Sequence, residues 1–391
     1  MSSIVRVIKH SIEPTYKKIY LLCVSLFRYL PIKDKKIVIV QGCGGGYKCN
    51  PKYIIEEIHK QNLKWDIVWL VSYFQPNMPE YVRQIKYNRV RAVYELATAK
   101  IFINTDKTTY PVRKKKGQTF VYIPHGQPGC KCCEADANCG PRYLAITQKH
   151  SNDTDVFVSM GSYHTQVLKD TFWMPEHAEI WETGFPRNDQ YYRDSSVKQK
   201  EIRKQLNIPD GIHIALYAPT FRDSGKIEAY DMDLHRVLKI LEKKTGEKWM
   251  FFITLHPNFI WFKKPPYPFD EKIRNMSDYE DIHELMLIVD LAISDYSSAA
   301  LDFSHTRKPV ILYASDIDAY TKMRGLKPMY YQLPFPRAKN NDEMEEIIMS
   351  YDNSAWLKKF ENWMKDLYGS VDDGHAAERF VEHLKKIIES R

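Results

Sequence analysis

The chain is 391 residues long, with 44% hydrophobic and 27% charged residues; the length suits two domains and the composition excludes a disordered chain. Its formal net charge of +8 is concentrated at one end, where residues 1–40 carry eight Lys and Arg against Glu13 and Asp34. The apolar run Ile19–Phe27 in that stretch is nine residues long. That is short of the roughly 20 needed to cross a bilayer, and Arg28, Tyr29, Leu30 and Pro31 follow it where a secreted chain would carry a small-residue cleavage site.

Neither a membrane span nor secretion is therefore expected. Residues 1–35 read either as a helix docked on the first domain or as a basic amphipathic segment drawn to anionic lipid. All seven cysteines lie within the first 139 residues. An odd count without an export signal points to thiols in a reducing compartment.

In chain order, Lys36–Gln41 is a β-branched run ending in Gly42-Cys43-Gly44-Gly45-Gly46. A helical pattern follows, with Pro51 near its start and Ile54, Ile55 and Ile58 on one side. Trp65–Ser72, Arg89–Val93, Lys100–Ile103 and Thr119–Ile123 are further strand-like runs between polar or helical stretches, the pattern of parallel βα units. Ile212–Tyr217, Trp249–Leu255, Leu287–Ile293 and Val310–Tyr313 repeat it in the second half. The link falls near 185–210, and the tail Glu343–Arg391 has helical spacing through Trp356, Phe360, Trp363, Met364 and Leu367. The expected architecture is α/β: a basic segment 1–35, a Rossmann-like domain 36–190, and a second Rossmann-like domain 191–391 with C-terminal helices. Ligands then bind in the cleft between the carboxyl ends of the two sets of strands.

The glycine loop lacks the Lys-Ser/Thr pair of a phosphate-binding P-loop and the third glycine spacing of a dinucleotide fingerprint, so hydride chemistry has no support. Thr119–Ile123 runs into Pro124-His125-Gly126. A histidine there has a near-neutral pKa and can take a proton from an attacking hydroxyl, or it only bonds backbone in its turn. His256-Pro257 follows Trp249–Leu255 in the same manner and either meets donor phosphates or caps. Ser294-Asp295-Tyr296-Ser297-Ser298 precedes a helical segment, where hydroxyls and first-turn N–H groups hold an anion or simply cap the helix. Thr220 and Arg222 follow Ile212–Tyr217, and Arg187 lies on a Gly-Phe-Pro-Arg turn; each arginine clamps a phosphate or forms a salt bridge. Cys130, Cys132, Cys133 and Cys139 are candidate metal ligands, although structural zinc sites usually set paired thiols apart; a loop of reduced thiols is the other reading.

Taken in order, these motifs resemble the CDP-glycerol glycerophosphotransferase family, the primases and polymerases of wall teichoic acid and related capsular polymers. Tyr47-Lys48-Cys49-Asn50-Pro51-Lys52 looks like its Tyr-x-(Asp/Cys)-Asn-Pro-Lys segment, Pro124-His125-Gly126 like its His-Gly-Thr motif, and Gly184-Phe185-Pro186-Arg187-Asn188-Asp189 like its Gly-x-Pro-Arg-x-Asp turn. Tyr217-Ala218-Pro219-Thr220-Phe221-Arg222, Leu255-His256-Pro257, Ser294–Ser298 with Asp302-Phe303, and Asp373-Gly374-His375-Ala376-Ala377-Glu378-Arg379 are similar to later blocks. The resemblance covers residues 38–385.

It implies a GT-B-like fold, two Rossmann-like domains facing across a cleft, with an N-terminal amphipathic helix. It also implies transfer of glycerol phosphate from CDP-glycerol without a required cofactor. By the same carry-over His125 is the base and His256 a second catalytic residue, while Gly126, Arg187, Thr220, Arg222, Ser294, Asp295, Ser297, Ser298 and Asp302 contact substrate. The implied partners are a CDP-polyol donor, a lipid-linked glycan acceptor and an anionic membrane surface, with no nucleic acid, at the cytoplasmic face of the cell membrane. A CDP-ribitol-dependent relative, a nucleotide-sugar glycosyltransferase of the same fold and a membrane-surface metal-binding protein are the alternatives. The sequence departs from the family at Gln127, where Thr is usual, and at the cysteine-rich stretch Gly129–Gly140.

Overall fold

The computed structural model describes residues 25–42, 45–87, 90–107, 114–127, 130–137, 139–222, 229–255 and 267–390. The first domain holds strands β1 (Lys33–Val40), β2 (Asp66–Val71), β3 (Val82–Lys86), β4 (Ala99–Asn104), β5 (Thr119–Tyr122), β6 (Val156–Ser159) and β7 (Glu179–Glu182). They form one seven-stranded sheet in the order β3-β2-β1-β4-β5-β6-β7, and every pairing is parallel. The second domain holds β8 (Ile212–Ala218), β9 (Lys248–Ile253), β10 (Ile273–Asn275), β11 (Leu291–Ser294), β12 (Val310–Tyr313) and β13 (Arg337–Ala338). Their order is β10-β9-β8-β11-β12-β13, again parallel throughout. Strands buried on both faces read as continuous apolar runs, which is why β1, β2, β4, β8 and β9 were legible as such.

The expected α/β fold with two parallel-sheet domains is present, with local differences. Arg89–Val93 is not a strand. Val90–Thr98 forms a helix that buries Ala92, Val93, Leu96 and Ala97, positions four apart that only a helix places on one face. The edge strand is instead the more polar Val82–Lys86. Leu287–Ile293 divides into a 3-10 turn at Met286–Ile288 and β11. The amphipathic segment expected over 1–35 lies largely outside the described residues. Within it, Phe27–Tyr29 is a 3-10 turn whose Phe27 ring meets Tyr94 edge-on at 6.3 Å. Lys36 is fully buried in β1 against Glu95, so it belongs to the core and not to the basic surface. No helix among the described residues is long and apolar enough to cross a membrane.

The chain returns to its first domain near its end. Helix Ala376–Glu389 packs on helix Cys49–Lys60, and Trp181 of β7 stacks on His383 at 4.4 Å with Phe380 edge-on at 5.6 Å. Asp189 fixes the start of that helix by accepting from the N–H groups of Ala376 and Ala377, each at 2.9 Å. Just before it, Ser162 donates to the Gly369 carbonyl at 3.1 Å and Val371 to that of Met160 at 2.9 Å. Gly161 sits inside this stitch at φ +153°, and a Cβ there would lie 1.9 Å from the Gly369 carbonyl oxygen. Gly161→Ala combines a backbone conformation reserved for glycine with a backbone overlap, and is expected to cost about 3 kcal/mol or more. Urea unfolding checks this; an unchanged midpoint would show that the stitch is dispensable.

Candidate functional site

The loop after β5 carries His125 into the cleft, and buried groups from both domains hold it there. Asn50 Nδ2 donates to the Pro124 carbonyl at 3.2 Å, and an Arg187 guanidinium nitrogen donates to the His125 carbonyl at 2.7 Å. The other terminal nitrogen of Arg187 donates to Asp302 Oδ1 of the second domain at 2.7 Å. Gln127 Nε2 donates to the same carboxylate oxygen at 2.8 Å, and the Tyr368 hydroxyl donates to Gln127 Oε1 at 3.3 Å. The residue that departs from the family's usual Thr thus forms a cross-domain link of its own.

The imidazole of His125 has Nδ1 3.1 Å from the Thr105 carbonyl oxygen. A carbonyl only accepts, so Nδ1 carries the proton and Nε2 keeps its lone pair, the tautomer that a base needs. The residue is exposed to the cavity, yet protein on all other sides strips its hydration. That desolvation holds its pKa below the ordinary histidine value, with Arg187 and Lys107 acting in the same sense against the Thr105 carbonyl and Asp106. Both the burial and the neighbouring cations favour the neutral imidazole.

A cavity of about 360 Å³ opens beside it, with His125, Gly126 and Lys107 on the first-domain wall and Thr220, Tyr296 and Ser298 on the second. Its volume is within the range of small-molecule sites. The two walls approach closely at Gly126, where a Cβ would lie 3.0 Å from Ser298 Oγ. Ser298 precedes helix Ala299–Ser304 without a side-chain capping bond.

Of the residues expected to contact substrate, the structure brings His125, Gly126, Thr220 and Ser298 to the cavity and sets the others behind it. Arg222 donates to Asp316 at 2.7 and 2.9 Å and pairs with Asp295 at 2.9 Å, with its guanidinium against the stacked rings of Tyr296 and Tyr320. It forms the salt bridge that is the second of its two readings, and it is not part of the cavity lining. Arg187 is likewise paired, fully buried against Asp302, and neither residue is part of the cavity lining. Asp295 accepts from Thr220 N–H and Oγ1 and from the Tyr296 N–H. Ser294 Oγ donates to the Ala218 carbonyl at 2.7 Å, and Ser297 Oγ accepts from the Ala299 N–H at 3.3 Å. These groups shape the wall from behind. His256 lies outside the described residues.

Sequence reasoning missed Lys107, which ion-pairs with Glu134 and lies 4.1 Å from the Phe172 ring centroid. It also missed Tyr296 and Tyr320 as cavity lining; nothing in a lone lysine or tyrosine marks it out. Cys130, Cys132 and Cys133 line the same cavity, Cys130 buried and the other two partly exposed. Among the described residues no group of three or more His, Cys, Asp or Glu side chains is gathered to hold a metal ion.

Residues 22–386 match the family described as CDP-Glycerol:Poly(glycerophosphate) glycerophosphotransferase. The chain belongs to that family. It is similar to the teichoic acid poly(glycerol phosphate) polymerase of Staphylococcus epidermidis, 27% identical over 382 residues that cover 92% of this chain and 52% of that protein. The teichoic acid glycerol-phosphate transferase of Staphylococcus aureus is 26% identical, with 98% of this chain and 99% of that protein covered. Among solved structures, the wall teichoic acid polymerase TagF superposes with a TM-score of 0.82 at 26% identity, covering 100% of this chain and 99% of that one. A TagF variant soaked with CDPG does so with a TM-score of 0.81 at 25% identity. The GT-B-like fold is thereby shared. The chain spans about half the length of the first curated relatives it matches, 52% and 51%.

In a glycerophosphotransferase that uses His125 as base, activity rises with pH as the imidazolium loses its proton. Because the pKa is held down, the acid limb of kcat/KM is expected below about pH 6.5, the ordinary histidine value. A pH–rate profile checks this; an acid limb centred above pH 7 would exclude the neutral-His assignment.

Proposed function

We propose that the chain transfers glycerol phosphate from CDP-glycerol to a hydroxyl of a lipid-linked teichoic-acid or capsular glycan, releasing CMP. The observation that carries the reading is the neutral His125, bonded through Nδ1 to Thr105 and lining a cavity between the domains, in a chain of the glycerophosphotransferase family. The acceptor oxygen bonds the β-phosphorus in line as the bond from that phosphorus to the CMP oxygen breaks. The acceptor proton passes to Nε2 of His125, and the electron pair leaves with CMP. Positioning and charge stabilisation account for most of the rate in phosphoryl transfer; Ser298 on the opposite wall supplies a hydroxyl donor.

His125→Ala is expected to lower turnover about 10²-fold or more, the usual scale for a lost general base, while CDP-glycerol affinity stays near wild type. CMP release and calorimetry on the variant measure the two quantities. A near-normal rate would remove His125 from the chemistry. Assaying CDP-ribitol beside CDP-glycerol distinguishes the donors, a comparison motivated by the poly(ribitol-phosphate) polymerase of Bacillus spizizenii, 25% identical over 378 residues.

The acceptor reading places the enzyme peripherally at the cytoplasmic face of the cell membrane. Its support is the basic excess of residues 1–35, seven Lys and Arg without the buried Lys36, worth roughly 1 kcal/mol per Lys or Arg near an anionic surface and screened by salt. The full chain is expected to co-sediment with anionic vesicles at low salt and to be released at high salt. Equal binding to neutral vesicles would show that the charge does not drive it.

A further inference from the structure

The cysteine-rich loop does more than line the cleft, because it is bound along its backbone to the other domain. Cys132 donates to the Gly325 carbonyl at 3.1 Å, and Lys327 donates to that of Cys130 at 2.9 Å. Lys131 and Leu326 form the antiparallel bridge between them. Gly325, at φ +80°, permits the approach, since a Cβ there would lie 2.8 Å from Cys132 Sγ. An ion pair from Lys327 to Asp136 ties down the far side. The backbone of Lys131 is thus fixed from both domains while its half-buried side chain lines the cavity that holds His125 and Ser298.

Besides Lys131, the cations on the cavity wall are Lys107 and Arg324. Lys107 is paired with Glu134, Arg187 with Asp302, and Arg222 with Asp295 and Asp316. Among the described residues, no carboxylate lies within ion-pair distance of the Lys131 ammonium and no hydrogen-bond acceptor is in reach of it. Asp295 attracts it from further away, and burial works the other way by lowering its pKa. An ammonium drawn out of water without a partner is costly, and an anionic ligand in the cavity would offset that cost.

We propose that Lys131 is a donor-phosphate ligand, reaching from the first-domain loop to bind the diphosphate of the CDP-polyol in the cavity beside His125. This assignment rests on the donor reading above. It places the positive charge that Arg187 and Arg222 do not supply, and it makes the donor diphosphate a contact of both domains.

The test is calorimetric titration of the wild type, Lys131→Gln and Lys131→Arg with CDP-glycerol and, by competition, with cytidine, which has no phosphate. Lys131→Gln is expected to weaken CDP-glycerol about ten-fold or more, the scale of a lost charge-assisted hydrogen bond, with cytidine unchanged. Lys131→Arg should recover most of the loss. Wild-type affinity for CDP-glycerol in Lys131→Gln would overturn the proposal and leave the donor reading standing. An equal loss of cytidine would also overturn it, by showing that the lysine only supports the loop. Failure of the wild type to bind CDP-glycerol at all would overturn the donor reading, and this proposal with it.

Discussion

The ion pair between Arg187 and Asp302 lies where the two domains meet, at 2.7 Å and with almost no exposure on either side. Two charges removed from water in this way do little for net stability against an apolar pair, but loss of one partner strands the other, at about 3–5 kcal/mol. The pair's value is geometric. The same guanidinium holds the His125 carbonyl, and the same carboxylate receives Gln127, so the position of His125 is set by the meeting of the domains. Nearby His305 bonds the Tyr192 hydroxyl at 2.8 Å and lies 3.3 Å from Gln127 Nε2. Burial pushes its pKa down to about 3, so no second cation competes with Arg187 for the carboxylate.

The second domain repeats this logic around Asp295. It takes bonds from Thr220, Tyr296 and Arg222, which locks the turns after β8 and β11 into one rigid wall. Motif residues that resemble a binding site are therefore divided between a few groups that meet the cavity and a larger number that hold them in place. Such preorganisation is what electrostatic catalysis needs, because dipoles that are already oriented cost nothing to arrange during the reaction.

Much of the fold was legible because parallel strands buried on both faces leave unbroken apolar runs, and because histidine, serine and threonine after such runs fall at carboxyl strand ends. What the sequence could not convey is which charge meets which. Arg222 finds Asp316 across 94 positions and Arg187 finds Asp302 across 115, so the choice between phosphate clamp and salt bridge stays open for both until the pairings are seen. The strand expected at Arg89–Val93 failed for a related reason: a five-residue window cannot separate a strand from the first turn of an amphipathic helix. Short strands such as β10 and β13, of three and two residues, carry too little pattern to be seen. The importance of Lys131 depends on a backbone pairing with Leu326 that no local signal announces.

The return of helix Ala376–Glu389 to the first sheet bears on how the protein is made. During synthesis, strands β1 to β7 leave the ribosome long before the residues that cover Trp181 exist, and β7 stays without Phe380 and His383 until the second sheet has been translated. Domains generally fold in order of emergence, but here the first to appear is the last to be completed. The nascent first domain therefore carries an uncovered aromatic surface through the synthesis of the second, the kind of surface on which chaperones act, and its burial marks the point at which both halves are finished.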